Sequence, residues 1–376
     1  MKPAAVLLSS SLASHYQSRL QRDTSSFRSL CSILFISLLI SLKSTAQIIA
    51  DPSLPSTEII CGDPLELTAA FKGGLGFANS SVSFQNFKLD SLSPKQIKSR
   101  TRLITGLNVI GYGGVMTALA AAWYKDYTKT KLHSFNDSRE WLQVDKIGHY
   151  YGTWIESRAN NEAWKWAGME RKKRIWISGL TSLAFQSTIE YLDGRSAEWG
   201  WSWSDFGANL LGSSTFIAQE LAWDEQRIKL KWSFHKKNYK DASLNQRSDE
   251  LFGKTTPERF LKDYNGQTYW ATVDVKSFFP TSKWPKWLGV SLGYGAEGMF
   301  GGEENIAKDA NGNFTFDRRD IVRRRQWYLA PDIDLSKIKT KSKLVNFLFT
   351  IFSAFKFPTP SLEFSKGKLR VNAIHF

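Results

Sequence analysis

Apolar runs between residues 103 and 219 end in polar residues at helical spacing, and after residue 225 the pattern breaks into short alternating segments. From Leu103 to Tyr124, "LITGLNVIGYGGVMTALAAAWY" carries no charge. As a helix it would be roughly 33 Å long at about 1.5 Å per residue, enough to cross a bilayer. Its four glycines would also let another helix approach closely. The runs at 175–189 and 206–219 have 15 and 14 uncharged residues, which suits buried or half-immersed helices. The stretch 226–266 is rich in charge and reads as a connector. Beyond it, "YWATVDVKSF", "WLGVSLGYGAEGMF", "QWYLAPDIDLSKI" and "KLRVNAIHF" read as strands, with plausible two-residue turns at Asn311-Gly312 and Lys366-Gly367. Between them, "KLVNFLFTIFSAFKF" predicts an apolar helix buried on the sheet or laid on a membrane. The pattern predicts a mainly α protein, a helical bundle of about four helices with a C-terminal α+β extension of short antiparallel strands. About five strands fall short of the roughly eight of a small closed barrel.

Composition adds a leader and a location. "FRSLCSILFISLLISLKSTAQ" gives a basic residue, an uncharged run from Leu30 to Leu42 and small residues, the order of a secretory signal cleaved after Ala46. The expected divisions are 1–46 signal peptide, 47–97 irregular segment, 98–225 helical domain, 226–266 connector and 267–376 α+β region. Cys31 falls inside the apolar run rather than after it, which argues against lipidation, and Cys61 alone makes no intramolecular disulfide. Lys plus Arg exceed Asp plus Glu by 5 to 1 in residues 1–46, balance at 18 to 18 in 47–224, and exceed again by 27 to 16 in 225–376. For an exported chain such a basic surface suits solvent or anionic lipid and polysaccharide, not nucleic acid. Many of the tryptophans between 123 and 223 sit at run ends, in keeping with a core or a membrane interface.

The candidate chemistry lies in the helices. In "VDKIGHYYGTWIESRANN", Asp145 and His149 are four apart and share a face. The same spacing joins Gln186 to Glu190 and Asp205 to Asn209, so three helices each offer polar groups at the end of an apolar run. If those ends meet, the set suits a structural hydrogen-bond network, a metal or ligand site, or a general acid/base pair. Ser202 or Ser204 can cap the helix that carries Asp205. No Gly-x-Ser-x-Gly elbow, phosphate-binding glycine loop, His-Glu-x-x-His helix or Cys-x-x-Cys pair is present.

The order "DKIGH", a Glu in "IEYLDG", then "WSWSDFGANLLG" resembles the YfiM-like family of predicted periplasmic proteins, a domain of unknown function, and more loosely the VanZ-like membrane proteins. The resemblance covers roughly residues 100–225 and marks Asp145, Lys146, His149, Glu190, Asp205, Asn209 and Gly212. It implies a shared fold and a place in the periplasm or outer membrane of a Gram-negative-type envelope, and it supplies no activity and no cofactor. The expectation is an exported, envelope-associated protein with a structural or interaction role and with membrane or envelope components as partners. Two alternatives stand beside it. One is a hydrolase or transferase acting on envelope lipid or glycan, with His149 as base and Glu190 or Asp205 as acid or metal ligand; the other is a transport accessory.

Overall fold

The structure is a computed structural model that describes residues 92–122, 129–197, 199–309 and 311–375. The expected signal and its cleavage site, both cysteines, most of the segment 47–97 and the end of the run at Trp123 and Tyr124 lie outside the described residues.

Helix α1 (Pro94–Ala122) precedes three helices, α2 (Val144–Trp166), α3 (Arg171–Asp193) and α4 (Trp203–Trp223). These three pack together through an apolar seam of Trp154, Ile175, Phe216 and Ile217 that continues onto Leu230 of the first strand. Small residues set the spacing. Ser213 Oγ donates to the Gly179 carbonyl at 2.9 Å between α4 and α3. At Gly212 of α4, an added Cβ would collide with the Tyr150 carbonyl and crowd Thr153 of α2. Helix α1 leans on the layer through Ile104 against Trp164 and Val115 against Phe185. No helix among the described residues is long and apolar enough to cross a membrane; the glycines, Asn108 and the basic first turns of α1 dilute its apolar run.

The second half corrects the expected fold class. Eight helices and eight strands occur among the described residues, and six of the strands form one antiparallel sheet, so the chain is not mainly a four-helix bundle. The sheet order is β1-β2-β3-β6-β7-β8, built from β1 (Ile228–Phe234), β2 (Gln267–Val273), β3 (Leu288–Glu297), β6 (Arg324–Ile333), β7 (Thr359–Ser365) and β8 (Lys368–His375). A separate hairpin pairs β4 (Ile306–Lys308) with β5 (Phe314–Asp317). Helices α5 (Ala242–Phe252) and α6 (Thr256–Lys262) join β1 to β2, the short α7 (Val275–Phe278) follows β2, and α8 (Lys343–Phe352) precedes β7. Strands β3 and β6 run ten residues each, so they are not short. The turn expected at Lys366-Gly367 is present, both residues having positive φ as a two-residue hairpin requires. The bend at Asn311-Gly312 is wider: Asp309 N–H donates to the Asn313 carbonyl.

The sheet is polar within and apolar without, which is why its composition misleads. Lys229 and Lys231, whose charges mark 226–266 as a connector, belong to the buried face of β1. Lys231 Nζ meets Asp332 of β6 at 2.5 Å and Lys229 pairs with Asp334. In a flat sheet β1 and β6 would stand about 14 Å apart, three spacings of about 4.8 Å, so the sheet curls to bring them together. Residues 354–356, just before β7, add to the free edge of β1 through a parallel bridge between Trp232 and Phe355. The opposite face of β1 and β2 seats on the helices, with Tyr151 against Trp232 and Tyr269. The helix of "KLVNFLFTIF" is not buried on the sheet: Leu344, Leu348 and Phe352 remain exposed.

Because α2 and α4 touch backbone to backbone at Gly212, Gly212→Ala is expected to force them apart and to cost about 1 to 3 kcal/mol. Denaturant unfolding of the variant beside the unsubstituted chain measures it.

Candidate functional site

A strained turn sets up the site. Residues Glu140–Gln143 form a 3₁₀ turn in which Trp141, Leu142 and Gln143 have φ of 50°, 50° and 65°. Each such residue costs about 1 to 2 kcal/mol against a right-handed conformation, so outside contacts must hold it. They come from the second half of the chain: Gly302 O accepts from Trp141 N–H at 2.8 Å, Tyr294 Oη donates to the Leu142 carbonyl, and Arg325 donates to Gln143 Oε1 at 2.5 Å. The turn delivers α2 with Val144 fully buried and Asp145 and Lys146 in its first turn.

Lys146 is the hub. Its ammonium lies 2.6 Å from Asp137 Oδ2, 2.9 Å from Asp145 Oδ2 and 2.8 Å from Asp205 Oδ1. Asp137 stands in the loop before α2, and its other oxygen accepts from Ser202 Oγ at 2.6 Å and Ser204 Oγ at 2.7 Å. Ser202 is also the N-cap of α4, accepting from Asp205 N–H at 3.0 Å, so one hydroxyl both starts the helix and satisfies the carboxylate. His149, one turn along α2, turns Nδ1 to Glu190 Oε1 of α3 at 3.4 Å. Its Nε2 stands 3.9 Å from both Asp145 Oδ1 and Asp205 Oδ2. Tyr264, from the loop after α6, donates to Asp145 Oδ1 at 2.7 Å.

Of the residues named from the sequence, Asp145, Lys146, His149, Glu190 and Asp205 therefore meet at one point. Asn209 sits one turn deeper on α4, accepting from Thr153 Oγ1 at 2.9 Å with its Nδ2 unpartnered. Gln186 turns to Glu156 instead, donating to Oε1 at 2.7 Å. Asp137 and Tyr264 were missed. The first lies in an irregular loop, and the second is 119 residues from its partner with no local pattern to betray it.

Burial and neighbours divide the charges. Burial drives the Glu190 carboxyl up to about 8 and the Asp205 carboxyl up to about 7, in each case against the attraction of His149. Burial acts on Asp137 and Asp145 in the same sense but loses, to the hydrogen bonds that Asp137 accepts and to the charges of His149 and Lys146 beside Asp145; both carboxyls fall below their usual range. The His149 imidazole is held above its usual value, because the pull of Asp145, Asp205 and Glu190 exceeds the desolvation that opposes it. Asp205 Oδ1 and Glu190 Oε1 have contacts of the right length but not the alignment of hydrogen bonds, and both stay unpartnered. The cluster is not sealed: the side chains of His149 and Asp145 keep 22% and 19% of their exposure. Such a set can transfer a proton, and Asp145, His149 and Asp205 present three atoms within 4.8 Å of one another, close enough to share a cation.

A family model described as "Predicted periplasmic lipoprotein (DUF2279)" matches residues 134–219, from the loop that holds Asp137 to the last turns of α4. No curated protein and no solved structure matches the chain. The matched part contains every helical residue of the cluster and excludes the strands that buttress it. The chain is an exported protein of the cell envelope.

Lys146→Met removes the ammonium shared by Asp137, Asp145 and Asp205 and is expected to destabilise the fold by about 3 to 5 kcal/mol, as breaking buried pairs does. Adding Asp137→Asn should recover part of that loss, since the second change removes a charge already orphaned; equal and additive losses in thermal unfolding would sever the two. A second expectation concerns Glu156, whose Oε2 is shut from water without a partner and whose carboxyl burial raises to about 8. Gln186 donates to it, and the Glu156 charge helps to raise the Tyr112 hydroxyl of α1. A folded value above the unfolded one of about 4.3 means the native state holds the extra proton. Its stability is then complete below the unfolded value and lost as pH rises through about 8. Glu156→Gln should thus gain melting temperature over the unsubstituted chain progressively from pH 5 to pH 8; a constant difference would refute the assignment.

Proposed function

We propose that this envelope protein is an interaction protein that docks on a lipid surface through the outer face of its curled sheet, with the polar cluster locking the helices that carry that sheet. One observation supports the reading above others. In the register of the sheet, Leu292, Leu329, Leu362 and Val371 stand directly opposite one another across β3, β6, β7 and β8, and all four are exposed, by 62%, 44%, 39% and 76%. A parallel row of Trp327, Phe364 and Leu369 lies beside them, also exposed. The alternate positions of β6 and β7, Tyr328, Glu363 and Asp332 among them, are buried, while the edge strand β8 has no buried position. Apolar outside and polar inside is the pattern of a sheet whose outer solvent is hydrocarbon. Exposed Lys366 at the β7–β8 turn and Lys339 and Lys341 before α8 supply charge for anionic headgroups. The exposed apolar side of α8 fits the same surface. The resemblance to YfiM-like and VanZ-like proteins agrees with a role at the envelope membrane.

A second reading, an enzyme acting on envelope lipid or glycan, is favoured by the partial opening over His149 and by Glu190, whose carboxyl is near neutrality beside it. In it His149 would act as base and Glu190 or Asp205 as acid.

The docking reading predicts that the purified chain sediments with vesicles of phosphatidylethanolamine and phosphatidylglycerol and that high salt alone does not release it. The triple variant Leu329→Asp, Leu362→Asp and Val371→Asp should stay in the supernatant with an unchanged circular dichroism spectrum. A wild-type chain that ignores vesicles overturns the proposal. So does one that forms a dimer abolished by the same three changes, which would assign the face to a second copy.

A further inference from the structure

The polar cluster contains a gap with a definite shape. His149 Nε2 faces Asp145 Oδ1 and Asp205 Oδ2 at an equal 3.9 Å, too far for hydrogen bonds. Two ligand atoms on one tetrahedral ion with bonds of about 2.0 to 2.2 Å stand about 3.3 to 3.6 Å apart, so an ion would draw these atoms together by a few tenths of an ångström. Lys146 Nζ stands against Asp145 Oδ2 and Asp205 Oδ1, so the two oxygens aimed at His149 are not the ones it faces; Asp145 Oδ1 also accepts from Tyr264 Oη at 2.7 Å, which leaves it a lone pair for an ion.

On the far side of the imidazole, Glu190 Oε1 stands 3.4 Å from Nδ1. Turned into line, a carboxylate there would fix the tautomer that presents the Nε2 lone pair, the arrangement by which histidine ligands are oriented. Glu190 is 2% exposed and its Oε1 lacks any aligned donor.

Charge points the same way. Four carboxyl groups, Asp137, Asp145, Glu190 and Asp205, surround one ammonium and one imidazole. Buried negative charge needs a partner, and a divalent cation can supply one alongside Lys146. The partial exposure of His149 and Asp145 leaves the ion a way in and room for water ligands.

We propose that Asp145, His149 and Asp205 bind one divalent transition-metal ion, with Glu190 as a positioning residue for His149. One imidazole and two carboxylates suit Zn²⁺ or Mn²⁺. The site is independent of the lipid-docking face.

The full-length purified chain, stripped with chelator, is titrated with ZnCl₂ and with MnCl₂ by calorimetry and by equilibrium dialysis with elemental analysis. About one ion per chain is expected. His149→Ala and Asp205→Asn should each weaken binding by about a hundredfold or more, and Glu190→Gln by about 10- to 100-fold with the stoichiometry kept. His133→Ala, an exposed histidine outside the cluster, should change nothing. If His149→Ala does not fold, the near-isosteric Asp205→Asn decides: Zn²⁺ should raise the melting temperature of the unsubstituted chain and not of this variant. Absence of a stoichiometric ion overturns the proposal, and so does an ion retained undiminished in Asp205→Asn.

Discussion

One buried ammonium organises the helical half. Lys146 is almost out of water, and a charge so placed is stable only where carboxylates surround it. Its three partners come from the loop before α2, from α2 itself and from the start of α4. Meeting them brings the N-termini of two helices together, an arrangement that their positive dipole ends alone would disfavour. The carboxylates of Asp137, Asp145 and Asp205 offset that repulsion, and the hydroxyls of Ser202 and Ser204 complete the coordination of Asp137. The close approach at Gly212 follows, because side chains short enough to pair across the two helices leave no space for a methyl group between them.

The sheet solves a related problem with the opposite sign. Lys231, Asp332 and Lys356 form a buried ionic chain inside the curl, with Lys356 Nζ also 5.0 Å over the Trp270 ring. Each of these groups would be costly in a flat sheet with one dry face. The curl makes them neighbours and leaves most apolar side chains outside, where the helices cover β1 and β2, the turn at Trp141–Gln143 covers Tyr294 of β3 and Arg325 of β6, and Leu292, Leu329, Leu362 and Val371 are left bare.

The cluster was legible where it followed helical periodicity. Asp145 with His149 and Asp205 with Asn209 lie on common faces because 3.6 residues make a turn, and that holds whatever the tertiary fold. The partners drawn from elsewhere were not. Asp137 and Tyr264 reach the site only through the loop path and the packing of Trp141 on Phe252 and Tyr264. The sheet was read as short and peripheral for a different reason: its period of two is intact, but its polarity is reversed. "IKLKWSF" alternates as any strand does, yet its lysines face inward, so charge that normally signals solvent here marks the interior.

The left-handed turn at Trp141–Gln143 bears on the order in which the protein is made. Helices α2, α3 and α4 are synthesised first and carry the carboxylates, but the groups that hold the turn, Tyr294, Gly302 and Arg325, emerge more than 150 residues later. Until then nothing offsets its backbone strain, and Asp145 lacks the Tyr264 hydroxyl. The helical half therefore acquires its final geometry only when the last-made third of the chain closes on it.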